Sequence, residues 1–457
     1  EGVLLLNFGL FSMEQGQLDE CAGCFEAALA VFRETGNRRD EAQALGALGM
    51  LHLNRGGEGA LGILEAALAV FREVGNREGE SSTLGNIAIL HTYRGQSDLA
   101  RRVTEDALAV LRDIGDARGE AQVLGNLGVL CLNQGLLAEA GPILERALAA
   151  QRAVGHRHGE GLALGALGVL HTARGELPEA RAACEAALAV QRSVGNQDSV
   201  CYVVANLAHL CLVAGRTAEA RVQLEAALAL AREIGNARTE GMVLGRIGAL
   251  AAEEGRIDEA RARLGDALAC SRAVQDLRLE GRAQRHLGGL HLDLGEHDAA
   301  RGCFDAALAL TRDTQDQTAI AIELGNLGRL ALRTGDLEGA LSGLDDATRG
   351  LAGRDLREHT LFLARRAEAS AGRDPVGAAR DLDLAIARAR SAGWPSVLAS
   401  CLSRRSRTLG DPGDLLEAEA IADGIRAPPG SRLRRELERT RAVLGARLAH
   451  PVDGSTP

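Results

Sequence analysis

Five asparagines, Asn7, Asn86, Asn126, Asn206 and Asn326, recur at multiples of 40 residues apart from one single-residue slip. A primary amide is donor and acceptor at once, so a row of amides can grip successive peptide units of an extended chain without reading its sequence. Each such bond nets about 0.5–1.5 kcal/mol, and five of them with some apolar burial would give roughly micromolar affinity. The recurrence also fits copied polar residues that face water. All 52 basic residues are arginine. A chain without lysine has no Walker-type phosphate-binding lysine, no Schiff-base lysine and no kinase-type lysine. What arginine offers instead is a planar fork that pairs bidentately with carboxylate or phosphate.

Other apparent motifs carry no chemistry. The run Gly57-Glu-Gly59-Ala-Leu-Gly62 has dinucleotide-fingerprint spacing, but no strand precedes it and no βαβ unit surrounds it. Cys21 and Cys24 have metal-like spacing, yet they fall at small-residue positions of a helix with no second Cys or His pair nearby in sequence. His156 and His158 read as a surface-loop pair. Arg432, Arg434, Arg435, Arg439 and Arg441 alternate with Glu436 and Glu438, the pattern of a solvated helix. No Ser, His and acid grouping has nucleophile-triad spacing. The expectation is a chain with no catalytic residues, no metal and no cofactor.

Composition narrows the class further. Hydrophobic residues are 46% and charged residues 25% of the 457, and aromatics only 2%, so the core is built of Leu, Ala, Val and Ile and its helices lie close together. No apolar run approaches the ~18 residues of a membrane span. Residues 1–350 hold 34 Arg against 48 acids, or −14, and residues 351–457 hold 18 against 14, or +4. An acidic body does not attract phosphate backbones, so neither nucleic acid nor membrane is expected as a partner. Nine cysteines spread thinly along the chain suit a reducing, cytoplasmic setting rather than a disulfide framework.

The elements that position these residues follow from self-similarity. The segment Leu124 to Leu130 recurs at Leu84, Leu164, Leu244 and Leu324, and a second block carries Leu108, Leu148, Leu188 and Leu228. A fixed period of 40 is the signature of a solenoid. Apolar residues spaced by three and four place two helices in each unit. Glycines punctuate them, within units at Gly16, Gly56, Gly95, Gly135, Gly175 and Gly215, and between units in pairs such as Gly115-Asp116 and Gly235-Asn236. The Gly can end one helix left-handed and the Asn or Asp can cap the next.

These units resemble the tetratricopeptide repeat, whose pattern falls on Leu124, Leu127, Gly128, Cys131, Ala140, Leu144 and Ala147 and again on Leu164, Leu167, Gly168, His171, Ala180, Cys184 and Ala187. Two features depart from it: the period is 40 rather than the usual 34, and the proline near position 32 is absent. The longer unit is similar to that of Pins-type polarity adaptors and bacterial signalling arrays. The resemblance implies an all-α, right-handed superhelical solenoid of antiparallel helix pairs, about ten repeats over residues 1–393 with the last degenerate. Divergent helices at 394–448, including a polar terminal helix, would cap it, and 449–457 would form a disordered tail. Glu1 opens directly onto a helical pattern, in which Val3, Leu4 and Leu5 would be exposed unless another repeat or domain precedes them, and this reads as truncation from a longer protein.

By the same resemblance, positions 2, 6, 9 and 13 of each first helix line a concave groove. The five asparagines occupy position 6. The stripe is apolar or amide early, with Gln122, Val129 and Tyr93, and charged later, with Arg246, Arg282, Arg329 and Arg333. An acidic or phosphorylated stretch of a partner near Arg282, Arg329 and Arg333 is one reading; solvated charge is the other. Position 5 is usually Gly, which costs about 1 kcal/mol in a helix relative to Ala, so close approach of a ligand backbone or a neighbouring helix is expected there. The functional expectation is a non-catalytic scaffold binding an extended protein or peptide segment. The alternative is a sensor or oligomerisation arm of a larger bacterial signalling protein, with a kinase or nucleotide-switch ATPase domain upstream in the same chain.

Overall fold

The computed structural model describes residues 1–14, 18–54, 59–93, 96–313 and 316–449. Among them it forms 23 helices and no strand. The turn glycines Gly16, Gly56 and Gly95, the Gly57-Glu58 half of the glycine run, and residues 450–457 lie outside the described residues. The chain divides into two compact units, one of residues 1–133, 139–163 and 274–277, the other of 134–138, 164–273 and 278–457.

Each repeat is an antiparallel helix pair, such as Ala117–Asn133 with Leu137–Ala153 or Ala237–Glu253 with Ile257–Ala273. The family pattern marks the interface within the pair: Leu124, Leu127, Cys131, Ala140, Leu144 and Ala147 are all buried. Its glycine is a packing requirement. A Cβ on Gly128 would stand 2.4 Å from Leu144, one on Gly248 2.6 Å from Leu264, and one on Gly288 2.6 Å from Phe304. The position-5 glycines differ. A Cβ on Gly85 or Gly125 meets nothing, those on Gly46, Gly165 and Gly245 meet ordinary contacts at 3.7–3.9 Å, and only on Gly325 does it clash, with Phe362 at 2.4 Å. A neighbouring helix therefore explains Gly325 and not the other five.

The junctions between repeats are built as the sequence implies. Gly115 and Gly235 end their helices with φ of 72° and 69°, and the side chains of Asn196, Asn236 and Asp316 each accept the backbone N–H three residues on. A further device spans each junction. Where the shorter family unit carries proline, this one carries arginine at position 32, and its Nε donates to a glutamate eight residues later. The pairs are Arg33–Glu41 at 3.1 Å, Arg72–Glu80 at 2.8 Å, Arg112–Glu120 at 2.9 Å, Arg152–Glu160 at 2.9 Å, Arg232–Glu240 at 2.7 Å and Arg272–Glu280 at 2.8 Å. The position-11 histidines add a second link. His91 Nδ1 lies 2.6 Å from Gln96 Oε1 and His171 Nδ1 2.5 Å from Glu176 Oε2, tying the end of a first helix to the start of the second.

The second unit also packs against itself. Val213, Trp394, Leu402, Leu437 and Leu444 share one apolar cluster, with Leu177 against its edge. The turn glycines of successive repeats abut the connections of the C-terminal helices: Gly135 faces Leu356, Gly175 the Ala392 carbonyl, Gly215 Ile425, and Gly255 the Gly430 carbonyl.

The glycine contacts separate two substitutions that look alike in sequence. Gly125→Ala, with open space and a better helix former, should stabilise the full chain by up to about 1 kcal/mol, whereas Gly128→Ala should destabilise it by about 1–3 kcal/mol through overpacking against Leu144; urea midpoints read the difference. Burial raises the Glu41 and Glu80 carboxyls, but their arginine partners more than reverse this and hold both below the usual carboxylate range. A lowered folded-state pKa contributes stability above the ordinary value of about 4.5 that is lost as pH falls through the lowered one. Glu80→Gln should therefore lower the neutral plateau of a stability–pH curve and flatten its acid limb, the two proteins converging at low pH.

Candidate functional site

Position 6 and its neighbours on the stripe lie in different surroundings in the two units. In the first unit Asn7 is exposed and Asn86 half-buried. On the Ala117–Asn133 helix, Gln122, Asn126, Val129 and Asn133 are all exposed along one line. Tyr93 ends the Arg77–Tyr93 helix, and its side chain lies outside the described residues.

In the second unit the amides are withdrawn from solvent. Asn206 is 4% exposed, and its Nδ2 has no hydrogen-bond partner among the described residues. Asn326 is buried and donates through Nδ2 to Glu323 Oε2 at 3.3 Å. Glu323 is fully buried and accepts from Arg285 Nε at 2.6 Å. Asn326 is thus part of an internal Arg–Glu–Asn network, the more so because burial keeps the Glu323 carboxyl above its usual range despite Arg285. Arg246 Nη1 donates to the Ala205 carbonyl at 2.6 Å, and Arg246 and Arg282 line one cavity of about 50 Å³ with Met242 and His286.

Arg329 and Arg333 come together, but they do not face an empty groove. Arg329 Nη2 is 2.7 Å from Asp293 Oδ1, and Asp293 Oδ2 is 3.4 Å from Arg432 Nε on the terminal helix, Arg432–Ala449. The nearby guanidinium groups hold Asp293 below the usual range although burial opposes this. Burial, helped by Arg432, pulls Arg329 down to about 9. Two expectations change here. The groove surface near Arg329 and Arg333, for which an acidic partner segment and solvated charge are the two readings, has the chain's own terminal helix against it. That helix, read as solvated, buries Leu437 and Leu444, and its Glu436 lies 2.6 Å from Arg404 and accepts from Ser400 at 2.8 Å. The missed signal was the apolar seam Leu433, Leu437 and Leu444 at helical spacing, masked by the surrounding charges.

Groups that could do covalent or metal chemistry do not converge. None of the nine cysteines is in a disulfide, and burial pushes the thiols of Cys184 up to about 11 and Cys401 up to about 12. Among the described residues no three His, Cys, Asp or Glu side chains gather as a metal site would need. His156 and His158 meet edge to face with centroids 6.1 Å apart, and His156 Nδ1 lies 2.8 Å from Gln151 Oε1.

The buried helix pairs and the glycine–leucine interface carry the family pattern, and models of the tetratricopeptide repeat match residues 119–193 and 246–316. The chain carries tetratricopeptide repeats. No curated protein matches the chain. Among solved structures, the repeats are similar to Rap protein complexed with competence and sporulation factor, at 12% identity over 73% of this chain and 92% of that one, with a TM-score of 0.54. NprR in complex with its cognate peptide NprX aligns at 14% identity over 65% of this chain and 83% of that one, TM-score 0.47. A signal transduction ATPase with a tetratricopeptide repeat sensor from Pyrococcus horikoshii aligns at 14% over 71% and 51%, TM-score 0.44. At 12% identity what is shared with the Rap structure is the fold.

Breaking one partner of a buried ion pair is far more damaging than the pair's net worth. Glu436→Gln should leave Arg404 undercompensated and loosen the terminal helix from the repeats. Hydrogen exchange across residues 432–449 should accelerate strongly, while exchange in the Ala117–Asn133 helix stays unchanged.

Proposed function

We propose that this chain is a non-catalytic protein-interaction scaffold that holds an extended segment of a protein or peptide partner along the stripe of its early repeats. The observation that carries this reading is the Ala117–Asn133 helix. Its buried faces are consumed by packing, yet Gln122, Asn126, Val129 and Asn133 stand open in a row, and Asn86 and Ile89 occupy the corresponding positions one repeat earlier. A row of amides interrupted by an apolar side chain suits a peptide backbone with apolar side chains of its own. The Rap structure that shares the fold is a complex with competence and sporulation factor, which supports recognition of a partner by such a scaffold. A nucleic-acid partner is disfavoured by the −14 carried by residues 1–350. Among the described residues no helix is long and apolar enough to cross a membrane. Nine cysteines with no disulfide among them fit a reducing, cytoplasmic compartment.

A second reading, a sensor or oligomerisation arm of a larger assembly, is favoured by the Gly2–Glu14 helix. It exposes Leu4 at 74%, Phe8 at 54% and Phe11 at 57%, a continuous apolar face of the kind that marks an interface.

Peptides selected from a random library against the full chain provide the ligand for the test. Changing Gln122 and Asn126 together to Ala removes two bonds of about 0.5–1.5 kcal/mol each and should weaken the selected peptide roughly tenfold or more. Arg146→Ala, an exposed side chain of the second helix in that repeat, should have no effect. Equal affinity in all three proteins would overturn the groove reading.

A further inference from the structure

The second unit encloses a cavity of about 530 Å³ whose wall carries eight arginines against three carboxylates, a formal excess of five positive charges. This runs against the chain as a whole, whose net charge is −10. The arginines come from separate elements: Arg329 and Arg333 from Gln317–Thr334, Arg365 from Arg357–Ser370, Arg404 and Arg407 from Pro395–Leu409, and the rest from the terminal helix. The carboxylates are already committed. Asp293 pairs with Arg329 and Arg432, Glu368 with Arg404 at 2.5 Å and Arg407 at 2.6 Å, and Glu436 with Arg404. Among the described residues, that leaves Arg333, Arg365, Arg435 and Arg439 without an acid.

Arg365 decides what the cavity is for. It is 6% exposed, stacks over Phe362 with its guanidinium carbon 5.8 Å from the ring centroid, and makes no hydrogen bond or ion pair among the described residues. Burial and the like charges of Arg404, Arg329 and Arg432 hold it well below the usual arginine range, which Glu436, itself paired with Arg404, only partly opposes. A buried charge with no ion pair of its own among mostly like charges is an unfavourable arrangement for a folded chain to keep. An anion in the cavity removes that penalty, because guanidinium forks pair bidentately with phosphate or carboxylate and do so most strongly away from water.

We propose that this cavity binds a compact small-molecule polyanion bearing several phosphate or carboxylate groups, held by Arg333, Arg365 and Arg439, and that its binding staples the terminal helix to the repeats. The volume suits a single small ligand rather than a polypeptide. The charge excess sets the preference: a ligand of high charge density neutralises the wall, whereas a monovalent anion does not. Arg439 sits on the terminal helix and Arg333 and Arg365 on repeat helices, so one ligand bridges both sides of the contact. This site is separate from the stripe around Asn126, and the two stand or fall independently.

Calorimetric titration of the full chain with tripolyphosphate and with citrate, at ionic strength held constant with sodium chloride, tests the proposal. At least one of the two should bind, raise the unfolding midpoint and slow hydrogen exchange in residues 432–449. Arg365→Met removes the buried charge while keeping an apolar stem over Phe362; it should leave the free chain folded and weaken the ligand at least tenfold. Should that variant not fold, Arg333→Ala with Arg439→Ala changes two exposed side chains and should produce the same loss. Absence of binding by both polyanions, or binding that these substitutions leave unchanged, overturns the proposal.

Discussion

Most repeats rest on the close approach of their two helices, set by a glycine facing a bulky side chain; Ala88 and Ala208 take the glycine's place in two of them. At Gly128, Gly248 and Gly288 the opposing Leu144, Leu264 and Phe304 occupy the space where a Cβ would be. With few aromatic residues to fill gaps, the core gains its density from short distances between backbones rather than from large side chains. The glycine costs helix propensity and the buried leucine more than offsets it. Once the pair is made, its first helix has one stripe left over. The placement of that stripe is the only freedom the repeat has for function.

The junctions convert pairs into an array. Capping glycines and asparagines set where helices stop, and the arginine-to-glutamate link over eight residues bridges one repeat to the next in six places. Each link is partly exposed on its arginine side and contributes modestly. Their value lies in repetition at the same geometry. The link is missing where Arg192 would meet Val200 and Arg312 would meet Ile320.

Electrostatics differ sharply between the two ends of the sequence. In the first unit charges meet in pairs across junctions and the stripe is amide or apolar. In the second, packing of the C-terminal helices against the turn glycines brings arginines from several elements to one cavity, faster than acids are supplied to match them. Arg365 is the clearest consequence. Stripe positions that look alike in the repeat pattern therefore have different chemistry: Asn126 is free to meet another chain, while Asn326 completes an internal network through Glu323.

The helical repeat, its period, its buried faces and its caps were legible in the sequence because each depends on neighbours within about one repeat, where spacing alone decides what meets. The glycine at position 8 was legible for the same reason. The position-5 glycines were not: spacing shows that a side chain is missing, and only the distances to Phe71 or Phe362 show whether anything needs the room. The sequence suggested a capping terminal helix but not which residues it meets. Its charges suggested solvent, but Leu437 and Leu444 join a cluster containing Val213, more than 200 residues away, and that pairing exists only once the chain has packed back on itself. Which arginines find acids, and which are left in a cavity without them, is a property of that long-range closure.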